Sequence, residues 1–230
     1  MRIIPDGPRF LDQLRAALGP AGLNAFGVVS AARFDALAPP EVRTDRVHPP
    51  ARSIVVIGSG GPAHWSAFLD YVAADPLERF ARRRHPFDAF AAHVFGELGA
   101  LTEGTRVVFP TFGGELPLDF MKLAELAGLG RPSELGILIG AAFGPWFGLR
   151  AALFTPHLID ETGPVARLCD GCDAPCKPFV DIRARREACI VAPEARYDEL
   201  ERLYHYDRAE GRRRLCLRFQ ITDEITGPIY

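Results

Sequence analysis

Gly136-Ile-Leu-Ile-Gly-Ala-Ala-Phe143-Gly-Pro-Trp146-Phe-Gly-Leu-Arg150-Ala-Ala-Leu-Phe-Thr-Pro156 is the stretch whose reading decides the fold. Residues 136–140 are a short apolar run of the kind that becomes a buried strand, and Arg150-Ala-Ala-Leu-Phe-Thr155 reads as another. Between them lies a turn dense in glycine and aromatic residues. Glycine lets a backbone come close to another group, and a large flat ligand is one such group. Phe143, Trp146 and Phe147 would offer it apolar faces, Gly144 would admit it, and Arg150 stands where it could hold an anionic or amide edge. A core turn with ordinary aromatic packing satisfies the same composition. Just upstream, Leu123-Ala-Glu-Leu-Ala-Gly-Leu-Gly130 reads as a helix ending at glycine, and its Gly128 and Gly130 belong to the same candidate ligand wall.

Working outward, Phe10, Leu11, Leu14, Ala17 and Leu18 fall at helical spacing and predict a helix over 8–18, closed by Gly19-Pro20. Residues 24–30 read as a strand. Ser53-Ile-Val-Val-Ile-Gly58 reads as a buried one, and its tail Gly58-Ser-Gly-Gly61 as a sharp turn. Helices are expected over 63–74, 86–101 and 118–127, and a strand over 105–110. Strands and helices mix without a regular βαβ period, so the expected class is α/β (α+β), one sheet flanked by helices over residues 1–160. From Glu161 onward cysteines, prolines and charges replace strand-like runs. Residues 161–230 are therefore expected to be a small appended segment whose order depends on a bound group or on docking.

At 230 residues and 48% hydrophobic content the chain can supply an ordinary core. A formal charge of -2 and a pI near 6.3 give no field that would gather nucleic acid or an anionic membrane surface. No apolar run follows a basic start, and none approaches the length of a membrane span, so the expectation is a cytoplasmic protein without a nucleic-acid or membrane partner.

Five cysteines, Cys169, Cys172, Cys176, Cys189 and Cys216, all lie in the last third. Three thiols within eight residues can converge on one centre, and thiolates are preferred ligands of iron–sulfur clusters and of zinc. Cys169, Cys172, Cys176 and Cys189 are the candidate metal ligands, with Cys216 an alternative fourth. Against the ferredoxin run C-x2-C-x2-C-x3-C-P, Ala166 stands where the first cysteine belongs, and the proline is Pro178, one residue late. A 4Fe-4S cluster, a zinc ion and a purely structural thiol loop all remain open.

Other features point to plainer roles. Gly58-Ser-Gly-Gly61 lacks the lysine and hydroxyl of a phosphate-binding loop. Arg82-Arg83-Arg84 and Arg212-Arg213-Arg214 read as solvated faces before they read as phosphate or redox-partner contacts. His85 and His93 show no metal-ligand spacing.

The stretch 124–156 resembles the shared core of two related families, the epoxyqueuosine reductases and the cobalamin-processing proteins of the type defective in human cobalamin type C disease. Phe143-Gly-Pro-Trp146-Phe-x-x-Arg150 is similar to the second, while the order of core, Cys169/Cys172/Cys176 and then Cys189 is similar to the first. The resemblance implies a nitroreductase-like fold, which also hosts FMN in other proteins. It further implies cobalamin bound base-off against Gly128, Gly130, Phe143, Gly144, Trp146 and Arg150, assistance to cobalt reduction or upper-ligand removal, and a redox partner protein. Its alternative implications are an iron–sulfur electron-transfer reductase and a non-catalytic cofactor carrier. The departures bear on the chemistry. The reductases' aspartate three residues before the proline matched by Pro117 is here Gly114, with Glu115 and Asp119 nearby; their Gly-Lys-Asn is Ser133-Glu134-Leu135. Their later paired cysteines are missing from 204–214, and the usual His-Pro before the aromatic turn is Gly140-Ala141.

Overall fold

The computed structural model describes residues 7–110 and 116–221. Among them run the helices α1 (Gly7–Leu18), α2 (Ala31–Asp35), α3 (Thr44–Val47), α4 (Ala63–Ala74), α5 (Pro86–Gly96), α6 (Phe120–Leu126), α7 (Ile182–Ala188), α8 (Glu199–Tyr206) and α9 (Arg208–Arg218). The strands are β1 (Ala25–Ser30), β2 (Ser53–Gly60), β3 (Arg106–Val108), β4 (Arg131–Pro132), β5 (Leu138–Ile139) and β6 (Phe147–Thr155). Four of them form an antiparallel sheet in the order β1-β2-β6-β3; β4 and β5 make a separate short hairpin.

β2 lies between β1 and β6, and all its residues are buried, which suits its apolar β-branched run Ile54–Ile57. Its side chains alternate between two cores. Ile54 and Val56, with Ala152 and Phe154 of β6, face Phe34 of α2 and Leu123, Ala124 and Leu126 of α6. Val55 and Ile57, with Ala151 and Leu153, face Phe10, Leu14 and Leu18 of α1 and Phe95 of α5. The result is a helix–sheet–helix sandwich; β2 was readable from its β-branched apolar run and the stripe on α1 from helical spacing.

The differences from expectation have local causes. The glycines after Ile57 do not turn the chain: β2 continues through a bulge at Ile57/Gly58, pairing Gly58, Ser59 and Gly60 with Leu149, Gly148 and Phe147. The turn falls at Gly61, whose φ is +65°. A side chain at Gly60 would meet the Phe143 ring, so that glycine is set by packing across the sheet end. The helix expected over 86–101 ends at Gly96, and a 3-10 turn follows over Gly99–Thr102. The strands expected over 136–140 and 105–110 contract to β5 and β3.

No helix or strand was expected after residue 160. Three helices occur there, and Asp181, Asp198 and Asp207 cap them by accepting from the backbone N–H of Ala184, Glu201 and Glu210. The segment shares its cores with the rest of the chain. Leu215, Cys216 and Ile221 pack with Trp65, Phe68, Phe80 and Phe87; Ala195 and Tyr197 pack with Trp146; Cys176 and Cys189 pack with Leu135 and Ile139. A strap at 161–163 leads into it along the free edge of β1. Thr162 gives its N–H to Val28 O and takes the Val28 N–H on Oγ1, while Glu161 accepts from Ser30 and Arg33. No helix among the described residues is long and apolar enough to cross a membrane.

Candidate functional site

The aromatic turn before β6 is built into the protein more deeply than its composition suggests. Trp146 is fully buried, edge-on to Tyr197 at 5.4 Å between ring centroids, with the Arg196 guanidinium 5.8 Å from its ring. Phe143 is half-buried. The glycines expected to admit a ligand admit backbone instead. A Cβ on Gly128 (φ +74°) would stand 2.2 Å from Gly163 O of the strap, and one on Gly144 (φ +55°) 2.1 Å from Val191 O. A Cβ on Gly130 would stand 2.8 Å from Ile139 O. Composition marks a close approach; it does not say what approaches.

Arg150 keeps a polar role. From β6 its Nε donates to Ser59 Oγ on β2 at 2.9 Å, and its guanidinium lies 4.5 Å from the centroid of Phe87 on α5. It makes no ion pair among the described residues, and burial pulls its pKa down against the attraction of Tyr197, Asp88, Glu201 and Tyr204. An arginine keeps its charge even so.

A group of side chains that sequence reasoning did not single out surrounds this cation. His64 on α4 is buried, and its Nδ1 lies 2.6 Å from Ala21 O; a carbonyl accepts, so Nδ1 carries the proton and Nε2 is left with a bare lone pair. Burial first and Arg150 second push its pKa down to about 3. Glu201 on α8 is 2% exposed; one carboxyl oxygen is 4.0 Å from His205 Nε2 and the other has no partner. Burial, then Asp198, raise its pKa to about 8, although Arg150 opposes the shift. Tyr197 and Tyr204, each raised to about 12 chiefly by burial, complete the surround. Nothing in the sequence marked Glu201, because a glutamate in a charged helix reads as solvent-facing.

The four candidate thiols come together around one pocket. Cys169, Cys172, Cys176 and Cys189 all line it with Leu135, Ile139 and Ile190, and none is in a disulfide. The backbone N–H of Ala174 donates to Cys172 Sγ at 3.3 Å, and burial pushes the Cys189 thiol up. The donor chemistry suits a thiolate-bound metal, but the cavity is about 10 Å³, room for one water, and no group of three His, Cys, Asp or Glu among the described residues is drawn together to hold a metal ion. Cys216 sits apart, in the core between α4, α5 and α9.

The remaining candidates have structural duties. Arg212 caps the Phe80, Ala81 and Arg83 carbonyls, Arg213 and Arg214 pair with Glu210, and Arg82 pairs with Glu78. His93 lies against Tyr71 with its ring tilted, near Glu97. Asp119 caps α6 by accepting from the Lys122 N–H. Gly114 and Glu115 lie outside the described residues.

The fold, a sheet-and-helix sandwich, has solved examples in a B12-trafficking protein and in epoxyqueuosine reductases. No family model matches the chain, and no curated protein matches it in sequence. Among solved structures it is similar to a C. elegans B12-trafficking protein CblC, a human MMACHC homologue, at 12% identity and TM-score 0.65 over 97% of both chains. It is also similar to a selenomethionine-labelled epoxyqueuosine reductase, at 16% identity and TM-score 0.52 over 75% of this chain and 52% of the other. A third similar structure is epoxyqueuosine reductase with a tRNA-Tyr epoxyqueuosine-modified stem loop, at 16% identity and TM-score 0.50. These likenesses give the fold expected from the 124–156 stretch. The chain spans about half of the reductase and nearly all of the trafficking protein.

Proposed function

We propose that this chain binds a corrinoid in its base-off form and assists reduction of the cobalt or removal of its upper ligand. The observation that carries the reading is Arg150, a half-buried guanidinium aimed by Ser59 and Phe87 and left without an ion pair. Its support is a fold similar over full length to that of a B12-trafficking protein.

Arg150 would hold an anionic or amide edge of the ligand, and half-buried Phe143 would give it an apolar face. Trp146 and Tyr197 would back that wall from the core, and Gly128, Gly130 and Gly144 would shape it by letting the strap and the 191–192 segment pack close. A bound corrinoid would supply the redox-active metal; the protein supplies geometry and exclusion of axial ligands and water, which otherwise stabilise the higher oxidation states. An anaerobic titration of cob(II)alamin tests this: a saturable shift to the base-off spectrum is expected, and a base-on spectrum at saturation contradicts it.

One observation favours a second reading. Four thiols on one pocket, with an amide aimed at Cys172 Sγ, are suited to a 4Fe-4S cluster that passes electrons to a bound substrate, provided the loop opens beyond its present cavity. Iron and sulfide analysis after anaerobic reconstitution tests it, and a Cys172→Ser variant with unchanged iron content contradicts it.

A further inference from the structure

Seven buried side-chain polar atoms among the described residues lack a hydrogen-bond partner, and four of them, His64 Nε2, Trp65 Nε1, Trp146 Nε1 and Glu201 Oε2, lie in one aromatic shell. That shell runs from Trp146 through Tyr197 to His205, and from His205 to Phe87 and Trp65, with Arg150 resting on the Phe87 face. Glu201 is the acidic side chain buried within it; the other carboxylate near Arg150, Asp88, is exposed. A buried carboxyl with one unpartnered oxygen and a half-buried guanidinium without an ion pair thus share one enclosure and do not pair with each other.

We propose that Glu201 is a positioning residue for Arg150: while its carboxyl is neutral the guanidinium is free for an anionic group of a ligand, and once ionised it becomes the internal counter-ion and weakens the ligand's hold. The ligand class is one that presents a phosphate or carboxylate to Arg150. The inference rests on the reading that Arg150 faces the ligand.

The geometry makes Glu201 the group able to act this way. It occupies the first turn of α8, fixed by Asp198, whose Oδ1 accepts the Glu201 N–H at 2.7 Å. The titratable and charged groups facing Glu201 are Arg150 from β6, Tyr197 and Asp198 from the segment before α8, and His205 from α8 itself; His64 from α4, Asp88 from α5 and Tyr204 from α8 face Arg150, and Arg186 and Arg208 face His205. His64 is neutral above about pH 3, His205 is pushed the same way chiefly by burial, and both tyrosines hold their protons to about 12. Glu201 therefore changes charge while its histidine and tyrosine neighbours keep theirs, lowering the net charge around Arg150 by one. A carboxylate partner also lowers the free energy that an incoming anion can gain from the same guanidinium.

The test uses the full chain in two arms. First, the Arg150 Nε–H resonance, assigned by its loss in Arg150→Lys, is followed by NMR without ligand between about pH 6 and pH 9. It should titrate with a midpoint near 8 in the wild type and stay flat in Glu201→Gln and in Glu201→Leu. A flat wild type, or the same titration in the variants, overturns the coupling. Second, cob(II)alamin affinity is measured at the two ends of that range. The wild type should bind roughly tenfold more weakly at the upper end, and Glu201→Gln should hold one affinity at both. Equal wild-type affinities while Arg150 titrates overturn the competition. Absence of cob(II)alamin binding at either pH is the failure of the corrinoid reading, and the first arm still decides whether Glu201 governs Arg150.

Discussion

Arg150 and Ser59 meet across neighbouring strands just past the bulge in β2, with Nε donating to Oγ at 2.9 Å. The bond fixes one edge of the guanidinium and leaves the rest lying over Phe87. Lysine cannot reproduce this, because an ammonium has neither the planar fork nor the stacking face. Arg150→Lys should therefore weaken cob(II)alamin binding about tenfold, roughly 1.4 kcal/mol, and change the melting temperature little. Titration and thermal denaturation of the same preparation check both halves. Ser59→Ala should show a smaller loss in the same direction.

Gly128 and Gly144 combine a positive φ with a backbone carbonyl where a Cβ would sit. Gly136, at φ +77°, has nothing within 4 Å. Alanine at Gly136 should cost the conformational strain alone, about 1 kcal/mol, and alanine at Gly128 or Gly144 clearly more, about 3 kcal/mol or above. Urea denaturation of the three variants measures the difference.

The buried titrating groups set opposite pH windows. Glu201 is raised from 4.5 to about 8, so the folded chain keeps a proton that the unfolded chain releases. Its contribution is complete below about pH 4.5, declines as pH rises, and is gone above about 8, with a slope of at most about 1.4 kcal/mol per pH unit. Glu201→Gln should accordingly gain on the wild type over that interval. His64, lowered from 6.5 to about 3, acts the other way: its contribution is complete above about 6.5 and is lost as pH falls toward 3. Denaturation midpoints of wild type, Glu201→Gln and His64→Gln across the range should separate the two slopes.

Glu161 joins the strap to β1 and α2 through Ser30 and Arg33, contacts that hold its carboxyl below its ordinary value. Glu161→Ala should cost at most about 1 kcal/mol at neutral pH, the contacts being exposed, and progressively less as pH falls below about 4.5, where the wild-type carboxyl also loses its charge. Hydrogen exchange at the Val28 N–H, which Thr162 accepts, should quicken in the variant.

The sequence was most legible where one physical rule acts alone. The buried strand at Ile54 to Ile57 follows from its β-branched apolar run, and the stripe Phe10, Leu14, Leu18 on α1 from helical periodicity. Legibility failed where tertiary contact sets the local structure: Gly58 and Gly60 look like a turn but sit in a strand because Gly148 O and the Phe143 ring occupy their side-chain space. The helices after residue 160 carried a signal in Asp181, Asp198 and Asp207, overshadowed by the cysteine and proline composition beside them. Of the candidate site, Arg150 and the shared pocket of four cysteines were visible as residue types. The partnership of Arg150 with Glu201 and His64 was not, since it joins residues 50 to 90 positions apart whose charges resemble any surface charge.

The most direct measurement is the anaerobic absorption spectrum of the purified protein before and after addition of cob(II)alamin. A saturable change to the base-off spectrum, reduced in Arg150→Lys, is the predicted result. No change, or a corrinoid that remains base-on at saturation, would contradict the assignment of a corrinoid site.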